Sequence, residues 1–170
     1  METIYSFKPV ADSHSRLLIL GSMPGKESLR KHQYYGHAQN AFWKLMCALL
    51  NEPFYEDYEN RLDMLRRNGI ALWDVIQSCE RESSLDSDIK KAEANDFPAF
   101  FAAHPGIRHV FFNGNMAYNT FARQVGIDFA SIAFERLGST SPAHAISFEK
   151  RLADWKRLLT YIGRHNDDQL

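Results

Sequence analysis

RLLILGSMPG, residues 16–25, is the stretch on which the reading of this chain turns. The run RLLIL at 16–20 is aliphatic without a break, as expected of a strand buried on both faces. It stops abruptly at Gly-Ser-Met-Pro-Gly, and small residues with proline are turn formers. A strand that ends in such a turn presents backbone N–H groups at the carboxyl edge of a sheet, where open α/β folds bind ligands. The turn is neither GxxxxGK[ST] nor GxGxxG, so a Walker loop and a dinucleotide site are both disfavoured.

Outward from this strand, three further runs read as strands: 70–76 (IALWDVI), 108–112 (RHVFF) and 132–137. Helices are expected at 41–50, 56–68, 97–103, 115–125 and 148–162. In the first of these, Phe42, Leu45, Met46, Leu49 and Leu50 repeat at helical spacing. Gly69, Gly126 and Gly163 stand as helix stops. The polar stretch QSCERESSLDSDIKKAEAND, 77–96, reads mostly as loop. Strand and helix alternate, which predicts an α/β three-layer sandwich, a four-stranded parallel sheet with helices on both faces. All four strand ends then emerge at one edge. The loops Gly21–Gly25, Trp73–Cys79, Asn113–Asn115 and Gly138–His144 would share one cleft.

The chain has 170 residues and 45% hydrophobic content, enough for one domain, residues 1–170, with its own core. A net charge of −1 is neither a polyanion-binding signature nor an acidic tail, so contact with nucleic acid would need a local basic patch. The two cysteines, Cys47 and Cys79, form no CxxC pair, which disfavours structural zinc and iron–sulfur sites. Buried reduced thiols are expected, with one disulfide as the alternative. METIYSFKPVADSHS lacks the basic start and apolar run of a signal peptide, and no apolar segment approaches 18 residues. A soluble, cytoplasmic monomer is the expectation.

Several residues carry chemistry, each with a plainer alternative. In YYGHAQN, 34–40, an exposed tyrosine can stack on a nucleobase, or it can cover the core edge. Asn40 precedes a clean helical pattern and reads as an N-cap, whose amide still has a free end. Asp74 and Asn113 end strands, where they can read a base edge by paired hydrogen bonds or tie a loop to the sheet. The loop STSPAHA, 139–145, offers hydroxyls and N–H groups suited to phosphate, or a capped turn. His144 is one of seven histidines, and a lone histidine is more often structural. Behind it lies a basic helix face, Lys150, Arg151, Lys156 and Arg157, which such faces usually leave merely solvated. Asp86 and Asp88 make a weak metal set and read better as a cap or a brace of the cleft.

Taken in order, GSMPG, GHAQNAFWKL, GIALWDVIQSCERESSLDSDI, HVFFNG and STSPAHA resemble the uracil-DNA glycosylase superfamily, most closely its hypoxanthine-DNA glycosylase branch. Each motif is moderately specific; the ordered set covers nearly the whole chain. The resemblance implies a DNA-repair enzyme that flips a deaminated base into a pocket and hydrolyses its N-glycosidic bond, with damaged DNA as partner and neither metal nor cofactor. It places Gly21, Ser22, Met23 and Pro24 on the pocket floor, Tyr35 as stacking platform, and Asp74 and Asn113 at the base edge. It makes Asn40 the holder of the attacking water. Ser139, Thr140, Ser141, Pro142 and His144 become the DNA-contacting loop. The chain departs from the family at three places. Met23 stands where uracil enzymes carry a water-positioning Asp or Asn. Ser139 and Ala143 stand where they carry a His and a wedging Leu. These departures fit a purine substrate better than uracil. The rivals are a uracil or G·U mismatch glycosylase, a non-catalytic nucleic-acid binder on the same fold, and an α/β enzyme acting on free nucleosides.

Overall fold

The computed structural model describes residues 1–162. Along the chain the elements are β1 (Thr3–Tyr5), β2 (Leu17–Gly21), α1 (Lys26–Lys31), α2 (Phe42–Leu49), α3 (Tyr58–Arg67), β3 (Ile70–Asp74) and β4 (Ile76–Glu80). They continue with β5 (Lys90–Ala94), α4 (Phe97–Ala103), β6 (His109–Asn113), α5 (Asn115–Gln124), β7 (Ala133–Leu137) and α6 (Phe148–Trp155). Short 3-10 turns lie at Asp86–Asp88 and Lys156–Thr160.

The four anticipated strands form one parallel sheet in the order β3-β2-β6-β7. Leu17 to Leu20 are all fully buried, which explains the unbroken aliphatic run. Their side chains alternate between two cores, as a strand's period of two requires. Leu17 and Ile19 join Phe42, Leu45, Met46, Leu65 and Trp155 from α2, α3 and α6. Leu18 and Leu20 join Phe97, Phe100, Ala117 and Phe121 from α4 and α5. The expected three-layer sandwich is present. Removing the fully buried Phe42 ring would cost about 3–5 kcal/mol.

Three expectations need correction. The run 70–76 is not one strand. It breaks at Val75, and Ile76 begins β4 in a second, three-stranded antiparallel sheet, β1-β4-β5. The stretch 77–96, read mostly as loop, is largely that sheet and the turn within it. Its strands are polar because much of each faces solvent, and β4 pairs with the distant β1, Thr3 opposite Glu80, which no local pattern announces. The helix 148–162 is α-helical only to Trp155 and tightens to 3-10 over 156–160. Gly163, its expected stop, lies outside the described residues. The short α1, directly after GSMPG, was not expected; Gly25 leads into it and His32 closes it in the left-handed region, φ 55°.

Cys47 and Cys79 are both free and buried. They sit in the cores on opposite sides of the parallel sheet, so the disulfide alternative is lost. Among the described residues no helix is long and apolar enough to cross a membrane.

Parallel register brings the functional ends together. Gly21 at the end of β2 pairs with Asp74 at the end of β3, and Asn113 at the end of β6 pairs with Leu137 on β7. The loop after β7 therefore leaves the sheet beside Asn113.

Candidate active site

A cleft of about 440 Å³ opens at the carboxyl edge of the parallel sheet. Its wall includes Gly21, Ser22, Met23 and Pro24 from the first loop, Tyr35 and Asn40 from the loop before α2, and Asp74 and Asn113 from strand ends. Ser139, Thr140, Ser141, Pro142 and His144 close the other side. All the anticipated site residues thus line one cavity.

Gly21 sets the floor. A Cβ there would lie 2.6 Å from Asp74 Oδ1 and 2.8 Å from the Tyr35 hydroxyl. Only a residue without a side chain lets the phenol and the carboxyl come together over the strand end. Tyr35 stacks on Phe42 with ring centroids 4.1 Å apart. Its backbone is held in the left-handed region at φ 54°, unusual for an aromatic residue and a common feature of binding sites.

Asp74 is 4% exposed, and its Oδ2 is buried without a hydrogen-bond partner. The Tyr35 hydroxyl is likewise buried and unpartnered; it feels the Asn113 amide without a well-formed hydrogen bond. Unmet buried polar atoms are rare and call for an explanation. Burial, reinforced by the charge of Asp86, pushes the Asp74 carboxyl up to about 7, with Arg81 pulling the other way. Burial and then the Asp74 charge hold the Tyr35 phenol far above its ordinary range.

The segment after β4 braces this floor. Asp86 accepts from the Ser22 hydroxyl at 2.7 Å, Ser84 Oγ accepts from the Lys26 N–H at 2.9 Å, and Arg81 Nη2 donates to the Pro24 carbonyl at 2.5 Å. Asp86 thus braces the cleft through Ser22, and among the described residues no three His, Cys, Asp or Glu side chains cluster as they would around an ion. Desolvation holds the Asp86 carboxyl above its ordinary range, opposed by the Ser22 hydrogen bond and by Arg81. Arg81 itself is 5% exposed, with Nε and Nη1 buried and unpartnered. Nothing in the sequence marked this arginine, since a buried cation declares itself only through neighbours distant in the chain.

Asn40 Oδ1 accepts from the Phe42 N–H at 3.0 Å, as the capping reading requires. The formal cap position falls on Ala41, one residue later. Asn113 and Thr140 exchange two hydrogen bonds, Nδ2 to Oγ1 at 3.0 Å and Thr140 N to Oδ1 at 2.9 Å. The Thr140 carbonyl also accepts from Ala41 N–H at 3.0 Å. Thr140 is 1% exposed, so this residue, expected to touch DNA, instead joins the loop to β6 and α2. Asn113 takes the loop-tying role that was its plainer alternative. Arg151, expected on an open basic face, is buried and reaches the carbonyls of Ser139, Ser141 and His144. Arg157 is paired with Glu135 and Asp154. Of that face only Lys150 and Lys156 remain exposed without an ion pair among those identified. Ser139 and Ser141 accept from the N–H groups of Ser141 and Ala143, which shapes the loop as successive hydroxyl turns.

Residues 7–162 fit the uracil DNA glycosylase superfamily. The chain belongs to that superfamily. It is 40% identical over 152 residues to a protein of Methanosarcina barkeri named hypoxanthine DNA glycosylase, covering 88% of this chain and 93% of the relative. A protein of the same name from Methanosarcina acetivorans is 36% identical over 158 residues, covering 91% and 97%. The solution structure of a Methanosarcina acetivorans protein described as a candidate uracil DNA glycosylase superposes with a TM-score of 0.77 at 36% identity, covering 92% of this chain and 96% of that one. Within the superfamily, the departure at Met23 now has a structural description. The side chain is 7% exposed and belongs to the same core cluster as Leu20 and Trp73, so it gives the cleft an apolar wall at this point.

Proposed function

We propose that this protein is a monofunctional DNA glycosylase that removes hypoxanthine from deoxyinosine in DNA. The observation that carries the reading is the cleft at the sheet edge of a superfamily member, floored by GSMPG and holding unpartnered polar atoms of Asp74 and Tyr35. The names of its relatives support the purine substrate.

The flipped nucleotide enters this cleft, leaving the duplex stack. The base lies against the Tyr35 ring, whose other face rests on Phe42. Asp74 addresses its edge. The O6 and N7 of hypoxanthine, two neighbouring acceptors, suit a carboxyl in its acid form at that edge. Asn40, with its Oδ1 fixed by Phe42, holds the attacking water through its remaining hydrogen-bonding capacity. As the bond from C1′ to N9 breaks, the sugar becomes oxocarbenium-like and negative charge passes to the base. The loop 139–144 meets the DNA backbone through Ser139, Ser141, Pro142 and His144. Thr140 and Arg151 hold its shape from behind. Met23 offers no water ligand, which disfavours the uracil mechanism.

The test is single-turnover cleavage of a deoxyinosine duplex by the wild type and by Asn40→Ala. Loss of at least about 100-fold in rate with duplex affinity retained supports the assignment. A wild-type rate in the variant removes Asn40 from the chemistry. Wild-type protein that binds the duplex but releases no base favours the non-catalytic binder.

A further inference from the structure

The cleft contains one acid that nothing in the fold employs. Glu27 is engaged through both carboxyl oxygens by Arg30. Asp86 is engaged by Ser22. The Asp74 side chain, though 4% exposed, leaves Oδ2 with no donor at all. Its backbone is fixed, because Asn95 Nδ2 donates to its carbonyl at 2.8 Å and Gly21 pairs with it across the sheet. A fixed, buried carboxyl whose Oδ2 meets no protein donor, on the wall of a ligand cleft, is an expensive arrangement that folding alone does not require.

Resting on the functional reading above, we propose that Asp74 acts in its acid form as the general acid that protonates N7 of the departing purine. The neutral state has a structural cause. Burial and the nearby Asp86 carboxyl oppose a negative charge on Asp74, and Arg81, which favours that charge, is itself buried and directed to the Pro24 carbonyl. Two carboxyls in one site with different partners is the usual arrangement for separating an acid from an anion. Here Asp86 accepts a hydrogen bond from Ser22, which favours its anion, whereas Asp74 Oδ2 has no such donor.

The step balances as follows. The C1′–N9 bond breaks and its electron pair enters the imidazole ring. The Asp74 proton moves to N7, so hypoxanthine leaves neutral. Water forms the new bond to C1′ and sheds its proton to solvent, from which Asp74 is reprotonated. A pyrimidine has no N7, so this acid helps purines alone. That would let the site dispense with the polar group that Met23 replaces.

The experiment compares deoxyinosine with 7-deaza-deoxyinosine in otherwise identical duplexes, for the wild type and for Asp74→Asn. The asparagine keeps a similar shape and can donate a hydrogen bond, but it cannot transfer a proton. The wild type is expected to release hypoxanthine at least about 100-fold faster than the deaza base. Asp74→Asn is expected to be slow on both, with the ratio collapsing to within about threefold. Duplex affinity and the melting transition of the variant establish that it is folded. Equal wild-type rates on the two substrates overturn the proposal, as does a variant that keeps the wild-type ratio. A wild type that releases no hypoxanthine from deoxyinosine overturns the underlying functional reading instead, and is read from the deoxyinosine arm alone.

Discussion

The Tyr35 hydroxyl and the Asp74 carboxyl meet above Gly21, so closely that a methyl group there would lie under 3 Å from each. The two come from different loops and share no hydrogen bond among those identified, and each leaves a buried polar atom unmet. Gly21→Ala must push one of them aside. Overpacking of this kind costs about 1–3 kcal/mol. The expected result is a modest fall in melting temperature with a loss of at least about tenfold in single-turnover rate. A variant with wild-type rate would mean that the contact has no part in the chemistry.

The acid at the end of β3 also predicts a pH dependence of stability. The Asp74 pKa is raised in the folded protein, from 3.8 to about 7, chiefly by burial. The folded state therefore holds the proton more tightly than the unfolded chain. This contribution is fully present below about pH 4 and is lost as pH rises through about 7, to a total of about 4 kcal/mol. Asp74→Asn, which carries no charge at any pH, should gain in melting temperature relative to wild type as pH rises from about 4 to 8. A difference in melting temperature that is constant with pH would contradict it.

The paired hydrogen bonds between Asn113 and Thr140 predict a structural role for a residue that reads from sequence as a base contact. Asn113→Ala leaves the buried Thr140 N–H and hydroxyl without their partner, at a cost of about 2–4 kcal/mol. Asn113→Asp keeps an acceptor for the N–H and should recover part of it. Denaturant unfolding of the two variants decides this. Equal and negligible losses would show that the joint is unimportant.

Arg151 reaches three carbonyls of the loop after β7. Lysine cannot span them with a single ammonium group. Arg151→Lys should loosen that loop, raise the dissociation constant for duplex DNA several-fold and expose residues 139–147 to limited proteolysis. Unchanged affinity and unchanged cleavage would place Arg151 outside the DNA-binding apparatus.

The pattern of what the sequence disclosed has a physical logic. The four core strands were legible because burial on both faces leaves continuous apolar runs such as Leu17–Leu20. Their ends gave the cleft, since parallel strands put all their carboxyl termini at one edge. The antiparallel sheet was hidden because β4 and β5 are polar where they meet solvent, and β4 pairs with β1, a strand far from it along the chain. Thr140 and Arg151 were misread for a related reason. A hydroxyl in a polar loop and an arginine on a helix look solvent-facing until the fold supplies Asn113 to one and three carbonyls to the other. Arg81 left no signal, because its place beneath Pro24 depends on a contact across 57 residues.

The most direct test of the central claim is single-turnover release of free base from matched duplexes holding one deoxyinosine, one deoxyuridine or one deoxyxanthosine. The account predicts rapid loss of hypoxanthine and much slower loss of uracil. Uracil released first, or no base released from any of the three while duplex binding persists, would contradict it.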